Sequence, residues 1–170
     1  MSICRQNFAS AAEKHLSEQI NVELTAQYHY NSAAAYFDRD DVALPGFKKF
    51  FKKSSEEEGE HAQMLIDYVN KRGGVCEFSA IEAPPKWTGP LMAMEAALAM
   101  EMKVNASLLS LHKTAEDNDD AQMCDFLASN YLGEQIDGQK EIADLITNLK
   151  RVGGDNLGLF LFDQQLGSRA

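Results

Sequence analysis

Apolar residues recur at intervals of three and four along most of the chain, which is the spacing of one face of an α-helix. The pattern predicts four long helices, at about residues 10–37, from Pro45 to the Gly73-Gly74 pair, at 91–117 and at 120–152. Proline suits the first turn of the second helix, and the glycine pair ends it. Gly133 and Gly138 fall inside the fourth helix, where they lower its intrinsic helicity.

The connection between the second and third helices contains three prolines and a glycine, Pro84, Pro85, Gly89 and Pro90. At about fifteen residues it exceeds the usual short loop, so we expect it to cross from one end of a bundle to the other. A short tail at about 156–166 predicts one more helix. Because this tail is apolar on nearly every side, it needs burial, either against other subunits or against its own bundle.

Length and composition suit a single all-α domain over residues 1–170, with a bundle at about 10–152 followed by the short helix. The net charge is −10 and there is no basic stripe, which argues against a nucleic-acid partner. No run approaches the ~18 apolar residues of a membrane span, and the N-terminus lacks the layout of a secretory signal. Cys4, Cys76 and Cys124 have no Cys-x-x-Cys spacing, so we interpret them as reduced thiols of a cytoplasmic protein.

A carboxylate and a histidine fall on the core face of the second helix. Alternating steps of four and three select Phe47, Phe51, Ser54, Glu58, His61, Leu65 and Tyr68. Both ends of this series are apolar, so the face points inward, where a charge is normally paired or bound to a metal. Glu58 and His61 therefore fit the Glu-x-x-His half-site of a di-iron carboxylate bundle. The alternative is that Glu56, Glu57, Glu58 and Glu60 form the solvated face of a charged helix.

Each of the other three predicted long helices also has a polar residue on its apolar face. Glu23 falls on the apolar face of the first helix, Glu101 on that of the third and Gln135 on that of the fourth. One inward polar residue could be a buried hydrogen bond, but one on each of four helices predicts a metal centre. Carboxylate oxygens with a single imidazole and no thiolate favour iron or manganese over zinc.

Two metal ions fit this set of ligands better than one. Glu58 can bridge the ions, Glu23 and His61 complete the first side, and Glu101 serves the second. A symmetric centre would have another Glu-x-x-His on the fourth helix, where Gln135 and Gly138 stand instead. We therefore expect the second ion to be held loosely, which suits turnover and release better than retention.

The chain closely resembles a heavy-chain-type ferritin over essentially its whole length. The segments that carry the resemblance are 19–24, 36–44, 57–62, 105–112, 124–127, 134–135 and 161–163. The resemblance implies a ferritin-like four-helix bundle with a short fifth helix, assembled into a hollow cage of twenty-four subunits. It also implies ferroxidase activity, in which dioxygen oxidises two ferrous ions per subunit and ferric mineral is deposited in the cavity. No haem is expected.

The resemblance implies a ferroxidase centre made of six residues, Glu23, Tyr30, Glu58, His61, Glu101 and Gln135. The first iron ion would be held by Glu23, Glu58 and His61, and the second by Glu58 and Glu101. Gln135 would lie beside the second ion, and Tyr30 would donate a hydrogen bond from behind the ligands.

A path for the ions is implied as well. Asp125 would line the three-fold channel through which ferrous ions enter, and Glu57 and Glu60 would lie between the centre and the inner surface. Ala128 stands where the family often has a second channel carboxylate, which leaves one acidic ring to attract cations. Gln63 replaces a further carboxylate often found in the mineral-nucleation cluster. The short fifth helix would line the four-fold channel.

Three other functions are open from the sequence. A light-chain-type storage subunit would only nucleate mineral, but it would lack the full ligand set present here. A centre of the bacterioferritin type would need a second Glu-x-x-His and a methionine suited to haem. A purely structural bundle would leave the inward polar residues without an explanation.

Overall fold

A computed structural model of the chain describes residues 2–153 and 156–169. These residues contain no β-strand and form α1 (Ser10–Phe37), α2 (Pro45–Lys71), α3 (Pro90–Asp117), α4 (Ala121–Leu127), a π-helical segment (Ala128–Leu132), α5 (Gly133–Val152) and α6 (Asn156–Arg169). The four long arms of the bundle are α1, α2, α3 and the run from α4 to α5, and α6 packs against α2 and α5. The predicted all-α bundle is confirmed. None of the described helices is long and apolar enough to cross a membrane.

The connection between α2 and α3 runs along α1. The hydrogen bonds that hold it join Val75 to Glu13, Glu77 to Ser17, Ser79 and Ala80 to Asn21, and Trp87 to Ser32. Because these contacts advance in step from the start of α1 towards its end, the connection carries the chain from one end of the bundle to the other. The predicted crossover is confirmed, and α2 and α3 consequently run parallel.

Stacked aromatic side chains fill one end of the bundle. The ring centroid of Phe37 lies 5.1 Å from that of Phe47 and 5.6 Å from that of Phe51. Tyr30 meets Phe51 at 5.9 Å, and all four residues are buried. Fully burying one such side chain contributes about 1.5–3 kcal/mol to folding. This layer fixes the ring of Tyr30, whose hydroxyl points towards the polar centre of the bundle.

The sequence pattern predicted one regular helix for the last long arm. This is wrong in detail, because the π-helical segment interrupts the arm. Met123, Leu127, Tyr131 and Gln135 are all buried. Twelve positions separate Met123 from Gln135, whereas three turns of α-helix take about eleven, so a regular helix would rotate Gln135 roughly 120° away. A π turn takes in one extra residue and returns Gln135 to the core face.

One face of α6 lies on the bundle and the other is exposed. Phe162, Asp163 and Leu166 are buried, whereas Phe160 and Leu161 are each 58% exposed. Asp163 Oδ1 accepts a hydrogen bond from the backbone N–H of Phe47 at 3.0 Å. The first N–H groups of a helix have no partner within it, so α6 caps the start of α2. Of the two burial sites that the sequence left open, the chain's own bundle therefore takes one face of this helix.

Gly46 makes the close approach of α6 and α2 possible. A Cβ atom at this position would lie 1.9 Å from the backbone oxygen of Asp163 and 2.8 Å from its Oδ1. Backbone atoms cannot move aside as the end of a flexible side chain can. Any larger residue must therefore push α6 away from α2.

We expect Gly46→Ala to lower the melting temperature and to expose the amides of α6 to hydrogen exchange. Gly133→Ala is the matched control, because in the described part of the chain a Cβ there meets nothing within 4 Å and the backbone is already helical. This control should be neutral or should stabilise the chain by up to about 1 kcal/mol. Parent-like protection of α6 amides in Gly46→Ala would show that the close approach is not needed.

Candidate metal centre

Three of the predicted ligands meet in the middle of the bundle. One atom each from Glu23 on α1 and from Glu58 and His61 on α2 lies within 4.8 Å of the others. Glu23 is fully buried and Glu58 is 4% exposed, while His61 is half-buried. His61 Nδ1 lies 3.5 Å from Glu58 Oε2, one helical turn away. Two carboxylates and an imidazole at this spacing can hold a metal ion between them.

Glu101 on α3 and Gln135 on α5 lie on the opposite side of the site. Gln135 Nε2 donates a hydrogen bond to Glu101 Oε2 at 3.1 Å. Tyr30 Oη donates to the other carboxylate oxygen of Glu101 at 2.5 Å. Glu101 is not part of the three-residue group, so the ligands are gathered tightly on one side and more loosely on the other. The structure thus gathers Glu23, Glu58 and His61 in one group and joins Tyr30 and Gln135 to Glu101 by hydrogen bonds. Glu58, His61, Glu101 and Gln135 line one cavity.

Several buried oxygen atoms of the site find no hydrogen-bond partner among the described residues. They are Glu23 Oε2, Glu58 Oε2 and Gln135 Oε1. Buried polar atoms are nearly always satisfied, and leaving one unmet costs about 1–3 kcal/mol. A cation that prefers oxygen ligands would satisfy all three atoms. The residues present therefore fit a metal ion.

Negative charge in this site is unfavourable without a cation. Burial raises the pKa of Glu23 well above its usual range, and the neighbouring Glu58 raises it further. Burial, followed by the charge of Glu101, raises the pKa of Glu58 to about 8. Burial and the Glu101 charge also raise the pKa of Tyr30, which keeps its hydroxyl a hydrogen-bond donor. The metal-free site consequently holds protons at neutral pH, and a divalent cation must displace them.

The site opens into a cavity of about 460 Å³. Acidic side chains surround the ligands in its lining: Glu57, Glu60, Glu134, Asp137 and Glu141. Burial raises the pKa of Glu57, although the nearby Lys53 opposes the shift. The two residues predicted to lie between the centre and the inner surface, Glu57 and Glu60, are both on this cavity. An acidic lining of this kind raises the local concentration of cations.

Asp125 lies apart from this cavity, on the exposed side of α4. Its carboxylate accepts a hydrogen bond of 3.4 Å from the Ser129 hydroxyl, one turn along. The adjacent Ala128 is exposed and adds no charge to this surface. The position of Asp125 within a channel between subunits stays a prediction.

Two contacts of the site were missed in the sequence. Gln19 is fully buried, and its Nε2 donates to Glu23 Oε1 at 2.7 Å. It lies one turn before Glu23 on the same helix face, so its spacing could have indicated it. Glu134 Oε2 lies 3.1 Å from His61 Nε2, although its side chain is 69% exposed. No periodicity marks Glu134, because its direction depends on the π-helical segment before it.

Replacing Glu58 by glutamine should make the metal-free protein less sensitive to rising pH. The pKa of Glu58 is raised from 4.5 to about 8, so its contribution to stability is fully present below 4.5 and is lost as the pH rises through 8. Glutamine cannot ionise. In chelator, Glu58→Gln should melt close to the parent near about pH 5 and above it near about pH 9.

The control for this comparison is Glu56→Gln, which alters an exposed carboxylate of the same helix that pairs with Lys52. Its melting temperature should follow that of the parent across the whole range. If the melting temperatures of Glu58→Gln and the parent changed with pH by the same amount, this would contradict the burial of an ionisable group at position 58.

Comparison with known proteins agrees with this geometry. The sequence profile described as the ferritin-like domain matches residues 13–152. The chain is 53% identical over 167 residues to soma ferritin of Lymnaea stagnalis, covering 97% of this chain and 95% of that one. It is 48% identical over 167 residues to the ferritin heavy chain of Echinococcus granulosus, covering 97% and 96%.

A plant protein is similar as well. The chain is 48% identical over 172 residues to a chloroplastic ferritin of Malus baccata var. xiaojinensis, covering 98% of this chain and 68% of that one. The profile and the relatives span most of the chain, and they confirm the resemblance that its sequence motifs carry. This chain belongs to the ferritin family of iron-storage proteins.

Proposed function

We propose that this chain is a ferroxidase-active subunit of an iron-storage cage. It would oxidise Fe(II) to Fe(III) with dioxygen at a centre of two iron ions and pass the ferric product to a mineral inside the cage. The observation that supports this most is the buried group of Glu23, Glu58 and His61 with unmet carboxylate oxygens. A subunit that only nucleated mineral at its surface would not need such an unfavourable group in its core.

The side chains of the site would bind the ferrous ions, orient them and neutralise their charge. The redox chemistry belongs to iron and dioxygen. Glu23, Glu58 and His61 would hold the first ferrous ion, and Glu58 with Glu101 would hold the second. Dioxygen would take one electron from each ion. Tyr30 would keep Glu101 oriented through the hydrogen bond that they share.

The second side of the centre would hold its ion more weakly. Gln135 contributes a neutral amide oxygen there, and Gly138, one turn further on, contributes no side chain. A Cβ atom at Gly138 would meet no other atom of the described residues within 4 Å, so this side is open to the cavity. The ferric product would leave in this direction, past Glu57 and Glu60.

The ferritin family forms multi-subunit iron-storage cages. We infer that this chain, as one domain over residues 1–170, assembles into a cage of twenty-four subunits, alone or with other ferritin subunits. The exposed face of α6 would then line the four-fold channel. We propose a cytoplasmic location, although the compartment varies within the family, since plant relatives are named chloroplastic.

Glu58→Gln should abolish rapid iron oxidation. Glu58 would contact both ions through its two carboxylate oxygens, whereas glutamine has a single uncharged amide oxygen and cannot bridge them. Mutating a residue that only hydrogen-bonds to a metal ligand typically lowers activity about 10–100-fold. Because Glu58 would itself be a ligand, we expect the initial rate to fall by at least about 100-fold. The measurement is the ferric absorbance after adding two Fe(II) per subunit in air.

Glu56→Gln is again the matched control and should keep the parent rate. The assembled state of both variants is checked by size-exclusion chromatography. If Glu58→Gln oxidises iron at the parent rate, the centre is misassigned. If the parent itself shows no rapid oxidation yet still mineralises iron slowly, the chain acts as a storage subunit of the light-chain type.

Asp125→Ala should slow the delivery of iron without changing how much iron the centre binds. With Ala128 uncharged, Asp125 would be the sole acidic ring of the three-fold channel, and one ring attracts cations less than two. Ala128→Glu should therefore speed uptake, and added salt should reduce that gain by screening. Unchanged initial rates in Asp125→Ala would show that the ions take another path.

A further inference from the structure

His61 is contacted through both nitrogen atoms of its ring. Nδ1 faces Glu58 at 3.5 Å, on the side of the metal group, and Nε2 lies 3.1 Å from Glu134 Oε2. In a neutral imidazole one nitrogen carries the proton and the other a lone pair. An ionised carboxylate can only accept, so Glu134 favours the tautomer with the proton on Nε2. Nδ1 then presents its lone pair towards Glu58 and Glu23.

Tyr131 contacts the backbone of His61. Tyr131 Oη donates a hydrogen bond to the backbone oxygen of His61 at 2.9 Å. The tyrosine ring also lies 5.5 Å from the imidazole ring, centroid to centroid. Tyr131 is 2% exposed, so water does not compete for this hydrogen bond. The hydrogen bond and the ring contact together fix where α2 lies along the last arm of the bundle, at the level of His61.

Both contacts depend on the π-helical segment. Tyr131 lies inside it and Glu134 follows its end by two residues. Removing its extra residue would rotate everything after it by about 100° relative to α4. Glu134 would then turn away from His61, and Gln135 would leave the core face. π turns inside α-helices frequently mark functional sites, and here the turn brings two residues to one ligand.

We propose that Glu134 and Tyr131 are positioning residues for His61, the first fixing its ring tautomer and the second fixing its place on α2. This inference rests on the proposed function, because it takes His61 as a ligand of the first ion. Partners of this kind typically change metal affinity about 10–100-fold. The rival account is that Glu134 only adds negative charge to the cavity, as Asp137 does.

Co²⁺ tests the two accounts, because its visible absorption reports the ligands around the ion and no oxidation is needed. The assembled protein is titrated with Co²⁺, and the first and second binding events are compared. Glu134→Ala should weaken the first event by about tenfold, whereas Glu134→Gln should stay within about threefold, since an amide oxygen also accepts from Nε2. Asp137→Ala, which removes the same charge from the same cavity, should change the first event by less than about threefold.

Tyr131→Phe keeps the ring and removes the hydroxyl. It should weaken the first Co²⁺ and alter its absorption while leaving the second event unchanged, because only the first ion would use His61. A general loss of structure would weaken both events equally, and that result would overturn the role of Tyr131. Equal losses in Glu134→Ala and Asp137→Ala, or no loss in Glu134→Ala, would overturn the role of Glu134.

The inference and the proposed function fail in different ways. A parent protein that binds Co²⁺ in the expected pattern but oxidises no iron would overturn the ferroxidase proposal and leave the positioning role standing. A parent that oxidises iron rapidly while Glu134→Ala and Tyr131→Phe bind Co²⁺ as it does would overturn the positioning role alone.

Discussion

Three carboxylates buried in one apolar core are the constraint on which the rest of the structure depends. Glu23, Glu58 and Glu101 are each less than a tenth exposed. Among the described residues no lysine or arginine forms an ion pair with any of them, and the basic partner closest to the group is His61. The compensating positive charge must therefore come from outside the chain, as protons or as a metal ion. The fold keeps an unfavourable group that only a cation can satisfy.

The surrounding structure offsets this unfavourable group and holds it rigid. Gln19 donates a hydrogen bond to Glu23, and Tyr30 and Gln135 each donate one to Glu101. The aromatic layer of Phe37 and Phe51 packs directly beside Tyr30 and contributes the apolar burial that the polar centre lacks. A core can keep polar residues at a functional site when the rest of its packing supports the fold, as the aromatic layer does here.

Helical periodicity was enough to predict the long helices and the inward position of the ligands, because both follow from the same spacing of 3.6 residues per turn. Glu23, Glu58 and Glu101 stood out only because their neighbours on that spacing are apolar. The π turn before Gln135 could not be predicted in this way, since it breaks the period, and with it Glu134 was missed. The packing of Gly46 against Asp163 joins residues far apart in sequence, so no local pattern contains it.

The raised pKa values also bear on which ions the site accepts. At pH 7 an ion must displace a proton from a carboxyl group whose pKa is about 8, which costs about 1.4 kcal/mol for each unit of pKa above the ambient pH. A monovalent cation, with half the charge, recovers less from the same oxygen atoms than a divalent one does. The imidazole of His61 discriminates further, because Mg²⁺ and Ca²⁺ prefer oxygen ligands and transition metals accept nitrogen. Burial and one histidine together therefore favour a divalent transition-metal ion over the more abundant cations of the cell.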